Sequence, residues 1–131
     1  MRYLFLLMVV LIPQVCFAEK PTRPYVEYAE AYERFQNSDD VIMVVQISAT
    51  WCPPCMKMKD EIIRNSDYWD TRERVIVYVD ADKDINLVNQ LKVGDTLPQL
   101  MIFQKGHVRR AISGFFPFAK IRDKLREIRN K

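Results

Sequence analysis

Histidine is almost missing from this 131-residue chain, with His107 the only one, and cysteine is scarce, with three. A tetrahedral zinc site wants four ligands, and His107 stands in an expected turn far along the chain from the cysteines, so no metal centre is expected. Covalent haem attachment needs a histidine directly after a Cys-x-x-Cys, where Met56 stands instead, so no cofactor is expected either. Charge of one sign is also lacking: 20 basic against 17 acidic residues give a net +3, too weak a balance to suggest nucleic-acid binding. No repeat or low-complexity segment interrupts the chain, and its length suits one domain with a real core but not two.

The N-terminus holds an apolar run, Tyr3 to Ile12, preceded by Arg2. It is well short of the roughly 20 residues a spanning helix requires. The run continues through Pro13 to Cys16-Phe17-Ala18, with small residues three and one before the Ala18/Glu19 junction. This pattern predicts a signal peptide over 1–18, cleaved after Ala18, and one domain over 19–131. The expected location is therefore outside the cytoplasm, the periplasm first, with an uncleaved membrane anchor as the alternative. A lipoprotein would need small residues before Cys16, where Gln14 and Val15 stand. Cleavage removes Cys16 and Arg2, leaving two cysteines and 19 basic against 17 acidic residues.

Those two cysteines lie in Trp51-Cys52-Pro53-Pro54-Cys55, directly after the apolar run Val41 to Ile47. Two intervening residues let both sulfurs reach bonding distance when the segment turns into a helix. A helix N-terminus stabilises a thiolate, so Cys52 is expected to attack and Cys55 to resolve. A structural disulfide normally closes a long loop, and a four-residue ring stabilises little, so redox work explains the pair better than a staple. Pro53 and Pro54 offer no N–H to the sulfur, which leaves the amides of Cys55 and Met56 as the nearest donors. A less stabilised thiolate, and hence a more reducing couple, is expected. The helix is expected to begin near Pro54.

Periodicity orders the remaining elements. Tyr25, Tyr28, Ala29, Tyr32 and Phe35 recur at helical spacing and predict a first helix ending near Asn37 to Asp40, with this stripe in the core and 19–24 as an unstructured lead-in. Val41 to Ile47 and Val75 to Val79 read as strands covered on both faces, joined by a helix whose apolar face is Cys55, Met58, Ile62 and Ile63. Asp80 to Asp84 resembles the start of a calcium loop, but Ile85 replaces the required Gly and Leu91 the required Glu, so it reads as a loop whose Asp caps a helix over 85–91. Leu100 to Phe103 and Val108 to Ser113 predict a hairpin through Gln104 to His107, and a basic amphipathic helix from about Phe118 closes the chain. Its solvated face carries Lys120, Arg122, Lys124, Arg126, Arg129 and Lys131.

This order, with Trp-Cys-x-x-Cys after a central strand, Leu97-Pro98 opening a later strand, and Gly106 and Gly114 following, resembles the thioredoxin family over nearly all of 19–131. The resemblance implies an α/β thioredoxin fold: a central mixed sheet of about four strands with helices on both faces. It implies a cis Pro98 beside the sulfurs, with the Leu97 backbone, Trp51, Pro53 and Pro54 meeting an extended substrate segment. Three positions depart from the family. Gln46 stands where a buried Asp is usual, Ile76 where its Lys partner is, and Asp60 where a helix-kinking proline often is, so a straighter helix is expected. The family's N-terminal strand is also expected to be missing, since Pro21 and Pro24 occupy its place.

The function expected is thiol–disulfide exchange, reducing or isomerising protein disulfides outside the cytoplasm through a Cys52 mixed disulfide that Cys55 resolves. Its partners would be cysteine-containing proteins and a membrane or soluble thiol–disulfide electron donor, with no nucleic acid, and the chain a monomer. The alternative is a non-catalytic binding module of the same fold, holding a partner at the Leu97-Pro98 edge or the basic last helix.

Overall fold

The computed structural model describes residues 22–69 and 71–131. The signal-peptide and cleavage expectations for 1–18, and most of the lead-in, lie outside them. Five helices and four strands follow in the order α1 (Tyr28–Asn37), β1 (Ile42–Ser48), α2 (Pro53–Arg64), α3 (Ser66–Trp69), β2 (Arg74–Asp80), α4 (Ile85–Leu91), β3 (Gln99–Gln104), β4 (His107–Ser113) and α5 (Phe118–Arg129). The sheet is mixed, in the order β2-β1-β3-β4, as the resemblance implies. β1 pairs in parallel with β2, and β3 runs antiparallel to both β1 and β4.

β1 is buried at all seven positions because helices cover both faces of the sheet, which is why its sequence is nearly continuous in apolar residues. The pleat sends alternate residues to opposite sides. Ile42, Val44, Ile76, Leu100 and Ile102 pack with Met58 and Ile62 of α2 and with Ile121, Leu125 and Ile128 of α5. Met43, Val45, Ile47, Val75, Val77 and Val79 pack on the other face with Ala31 and Phe35 of α1, alongside Leu87 and Val88 of α4. At the Lys105-Gly106 turn both residues have positive φ, 53° and 77°, the two-residue geometry whose twist matches antiparallel strands.

The expected strands and helices recur in the structure within a residue or two, with several corrections. α2 begins at Pro53 rather than Pro54, since proline is pre-set for the first helical turn, and it runs unbroken through Asp60. The first helix starts at Tyr28, and its core face is Ala31 and Phe35, while Ala29 and Tyr32 are exposed and Tyr28 is half-buried. Tyr25 lies before the helix yet is buried, and Pro24 with it, so the end of the lead-in is fixed. Val26 N–H donates to the Ile76 carbonyl at 3.0 Å, tying the end of the lead-in to the β2 edge of the sheet. Asp84 precedes α4, but its carboxylate turns back to accept from the Asp80 N–H at 3.2 Å and makes no cap bond. The short α3 was not expected; Trp69 buries there against the α2–α5 side.

Gln46 sits fully buried on β1. Its Oε1 accepts from the Tyr25 hydroxyl at 2.5 Å and its Nε2 donates to Ser48 Oγ at 3.0 Å. Burial, with the Tyr78 and Asp60 charges adding to it, pushes the Tyr25 phenol well above its ordinary range. Below the ordinary tyrosine pKa both folded and unfolded phenols hold their proton; above it the unfolded chain releases one that the folded chain keeps, so stability falls as pH rises. Tyr25→Phe leaves the Gln46 carbonyl buried without a donor and is expected to cost about 1–3 kcal/mol at neutral pH. The same variant should show a shallower loss of stability above about pH 10, where the phenol would otherwise titrate on unfolding. Urea unfolding across pH checks both effects, and an unchanged midpoint at pH 7 would contradict the first.

Candidate active site

Strand β1 ends at Ser48, and four residues later the chain enters α2 with Cys52 as its cap. Cys52 keeps extended backbone angles, φ −98° and ψ 107°, so its side chain turns back over the first helical turn. Its Sγ accepts from the Cys55 N–H at 3.4 Å, its own N–H donates to the Ala49 carbonyl at 3.2 Å, and its carbonyl accepts from Met56 at 3.1 Å. The two cysteines are joined as a disulfide, with Cα atoms 5.2 Å apart. Cys55 is fully buried, whereas Cys52 retains 5% exposure, so an incoming sulfur reaches Cys52 first. Of the two nearest amides expected to donate to the sulfur, Cys55 does so, while Met56 bonds the Cys52 carbonyl.

Of the residues expected to contact substrate, Leu97 packs against the two cysteines, and Trp51, Pro53 and Pro54 adjoin them in the chain. The Leu97-Pro98 peptide is cis, and Leu97 packs against Ala49, Cys52 and Cys55. The Pro98 carbonyl accepts from Gly114 N–H at 2.8 Å, which ties the loop to the end of β4. Gly114 can make that turn because its φ is +89°, a region side chains disfavour. Leu97 forms no backbone hydrogen bond among the described residues, so its N–H and C=O are open for pairing beside the cysteines. Pro53 and Pro54 are exposed and form, with Lys57 and Phe115, an open apolar depression of about 320 Å³; the Lys57 ammonium lies 4.5 Å from the Phe115 ring centre.

Trp51 is 67% exposed, and its indole N–H donates to Asp82 at 2.7 Å. Asp82 N–H in turn donates to Asp80 at 2.9 Å, so the acidic loop that resembles a calcium site instead braces the tryptophan at the rim. Sequence reasoning missed this use, and it missed Phe115 and Lys57; no local pattern links residues 31 positions apart. It also missed how the Gln46 region is completed. Ile76 is buried core where a cation is usual, while Lys59 places its ammonium 4.7 Å from the centre of the Tyr78 ring, and that ring meets Tyr25 edge to face at 5.4 Å. His107 is exposed at the first position of β4.

Among curated proteins, the chain is 30% identical over 81 residues to a thioredoxin of Mycoplasma genitalium, covering 62% of this chain and 76% of that protein. It is 30% identical over 89 residues to a thioredoxin of Mycoplasma pneumoniae, covering 68% and 82%. Among solved structures, thioredoxin from Trypanosoma brucei brucei superposes with a TM-score of 0.64 at 25% identity, covering 89% of this chain and 99% of that one. Chloroplastic thioredoxin z superposes with a TM-score of 0.66 at 23% identity, covering 86% and 99%. The thioredoxin family model matches residues 24–127, all but the two ends, and so this chain belongs to the thioredoxin family and is a thioredoxin-like thiol–disulfide oxidoreductase.

Proposed function

We propose that the chain reduces or isomerises protein disulfides outside the cytoplasm, recharged by a membrane or soluble thiol–disulfide donor. The observation that carries this reading is the inequality of the two cysteines: Cys52 caps α2 and keeps 5% exposure, whereas Cys55, one turn inside the helix, keeps none. In the reduced protein, the Cys52 thiolate attacks one sulfur of a substrate disulfide, and the substrate's other sulfur leaves as a thiolate. Cys55, once deprotonated, then attacks the Cys52 sulfur of the mixed disulfide and expels the second substrate thiolate. Two electrons have passed to the substrate, and the Cys52–Cys55 disulfide remains. A donor dithiol returns the pair to the reduced state by the same exchange in reverse.

The open Leu97 edge supports capture of an extended cysteine peptide by strand-like pairing. Trp51 on one side and the Pro53, Pro54, Lys57 and Phe115 depression on the other would flank such a segment. Reduction is favoured over oxidation because Pro53 and Pro54 give the Cys52 sulfur no N–H, leaving one backbone donor at 3.4 Å. A weakly stabilised thiolate makes the dithiol the better electron donor. Export is supported by the Tyr3–Ile12 run and the Cys16-Phe17-Ala18 ending.

Cys52→Ser is expected to abolish reduction of a protein disulfide such as that of insulin, and Cys55→Ala to accumulate covalent mixed disulfides that dithiothreitol releases. Full turnover by the Cys52→Ser protein would sink the mechanism. Equilibration with thiol buffers, followed by Trp51 fluorescence, should give a reduction potential near roughly −270 mV; a value near roughly −120 mV would make the protein an oxidant instead. N-terminal sequencing of the protein recovered from a bacterial periplasm should begin at Glu19, and recovery of an intact Met1 form from the cytoplasm alone would contradict export.

A further inference from the structure

The weak net charge of the chain hides a strong asymmetry. Residues 22–104 hold nine basic and fourteen acidic side chains, whereas 105–131 hold nine basic and only two acidic ones. The thiol chemistry makes no use of this, and the fold gathers much of it on one side. On α5, Lys120, Lys124 and Glu127 share a stripe, since positions three and four apart lie on the same face of a helix, and Lys131 follows just past the helix end. That stripe meets β4: Glu127 pairs with Arg110 at 3.9 Å and with Lys124 at 3.6 Å, and His107, Arg109, Arg110, Glu127 and Lys131 line an open groove of about 400 Å³. Lys105 in the adjoining turn and Lys120 at the start of α5 extend this basic side.

Arg109 is out on this side because β4 carries an extra residue there: Arg110 opposes Ile102 and Val108 opposes Phe103, so Arg109 bulges from the ladder. Lys105, Arg109, Lys120 and Lys131 are exposed and take part in no ion pair among the described residues. The face also stands apart from the sulfurs. β3 leaves the cis Pro98 and runs away from it, so the Lys105 turn lies at the opposite end of the sheet from Cys52, and Arg109 and Lys131 lie toward that end.

We propose that this β4–α5 face binds the anionic surface of a phospholipid bilayer while the Cys52 end points away from it. The chemistry of the face selects this partner over an acidic protein. Protein interfaces draw their energy from aromatic or apolar anchors seated in pockets. Here the only large apolar side chain exposed is Val108, and Ile121, Leu125 and Ile128 of α5 are committed to the core. α5 cannot insert, so binding is peripheral and salt-reversible. What the face offers is several long cationic side chains on one side, each attracted to an anionic leaflet. Export through a membrane, as proposed above, delivers the domain next to such a surface.

The test is co-sedimentation of the full chain with phosphatidylcholine vesicles, with and without phosphatidylglycerol, at low and high salt, compared with an Arg109→Glu/Lys120→Glu/Lys131→Glu variant and a Lys92→Glu control. The N-terminal apolar run and Arg2 are retained in the triple variant, so any contribution of theirs is common to both proteins. Partitioning onto anionic vesicles should exceed that onto neutral ones, fall at high salt, and drop at least about tenfold in the triple variant but not in the control. Insulin reduction should stay the same in the triple variant, which touches none of the site residues, so a loss of lipid binding is separable from a loss of redox function. Equal partitioning onto both vesicle types, an unaffected triple variant, or binding to soluble polyglutamate without binding to anionic vesicles would each overturn the proposal.

Discussion

The site depends on one constraint, the burial of β1 along its whole length. A strand covered on both faces cannot shift register without moving every side chain to the wrong layer. It is held by β2 on one side and β3 on the other, and truncating any of its large apolar residues would cost about 2–5 kcal/mol. The reactive loop begins where this strand ends. Ala49 packs against both cysteines and offers its carbonyl to the Cys52 N–H, so the sulfur is positioned by backbone that the core has already fixed. α2 is held to the same sheet by Met58 and Ile62, while Cys55 packs against Ala49 just past the end of β1, so this sulfur is itself part of a buried cluster. Precision at Cys52 is a by-product of packing, and no flexible side chain has to hold it.

The parts of the molecule legible in the sequence are those set by short-range periodicity. The apolar runs gave β1 and β2 their places because a doubly covered strand needs no polar alternation, and the Cys-x-x-Cys spacing identified the head of α2 because a helical turn brings those sulfurs together. The cis state of Pro98 and the open Leu97 edge came by resemblance, not from the residues alone. What escaped was decided between distant segments. Tyr25 matches a helical period yet lies outside the helix, because its hydroxyl is required by Gln46 in the core, 21 residues on. Asp84 stands where a helix cap belongs, but the loop's own N–H groups claim the Asp80 and Asp84 carboxylates first.

Gln46 shows how this chain answers a departure from its family. A buried carboxylate needs a cation or several donors, since an isolated charge in the core is costly. Here both members of such a pair are neutral, Gln46 and Ile76, and the amide satisfies itself with one phenol and one hydroxyl. Burial holds Tyr25 protonated, so the group remains a donor across the working range of pH and the polar chain keeps one hydrogen-bond direction. The exchange chemistry loses a buried proton acceptor by this substitution. In the exchange proposed here, deprotonation of Cys55 would fall to water or to the departing substrate thiolate, which would make the identity of the substrate part of the catalytic apparatus.

Geometry alone does not set the direction in which electrons flow. The same cap, cis proline and buried partner sulfur serve a reductant or an oxidant, and the choice rests on how far the protein stabilises the Cys52 thiolate relative to the disulfide. The levers at this site are few. The dipole of α2 is common to any helix N-terminus, and the first turn holds no acidic residue to oppose it. The remaining lever is the number of amides that can point at sulfur, and two consecutive prolines reduce it to the Cys55 N–H at 3.4 Å. The proposed reducing bias would therefore reside in the exposed segment between the cysteines, which the buried scaffold leaves open to variation.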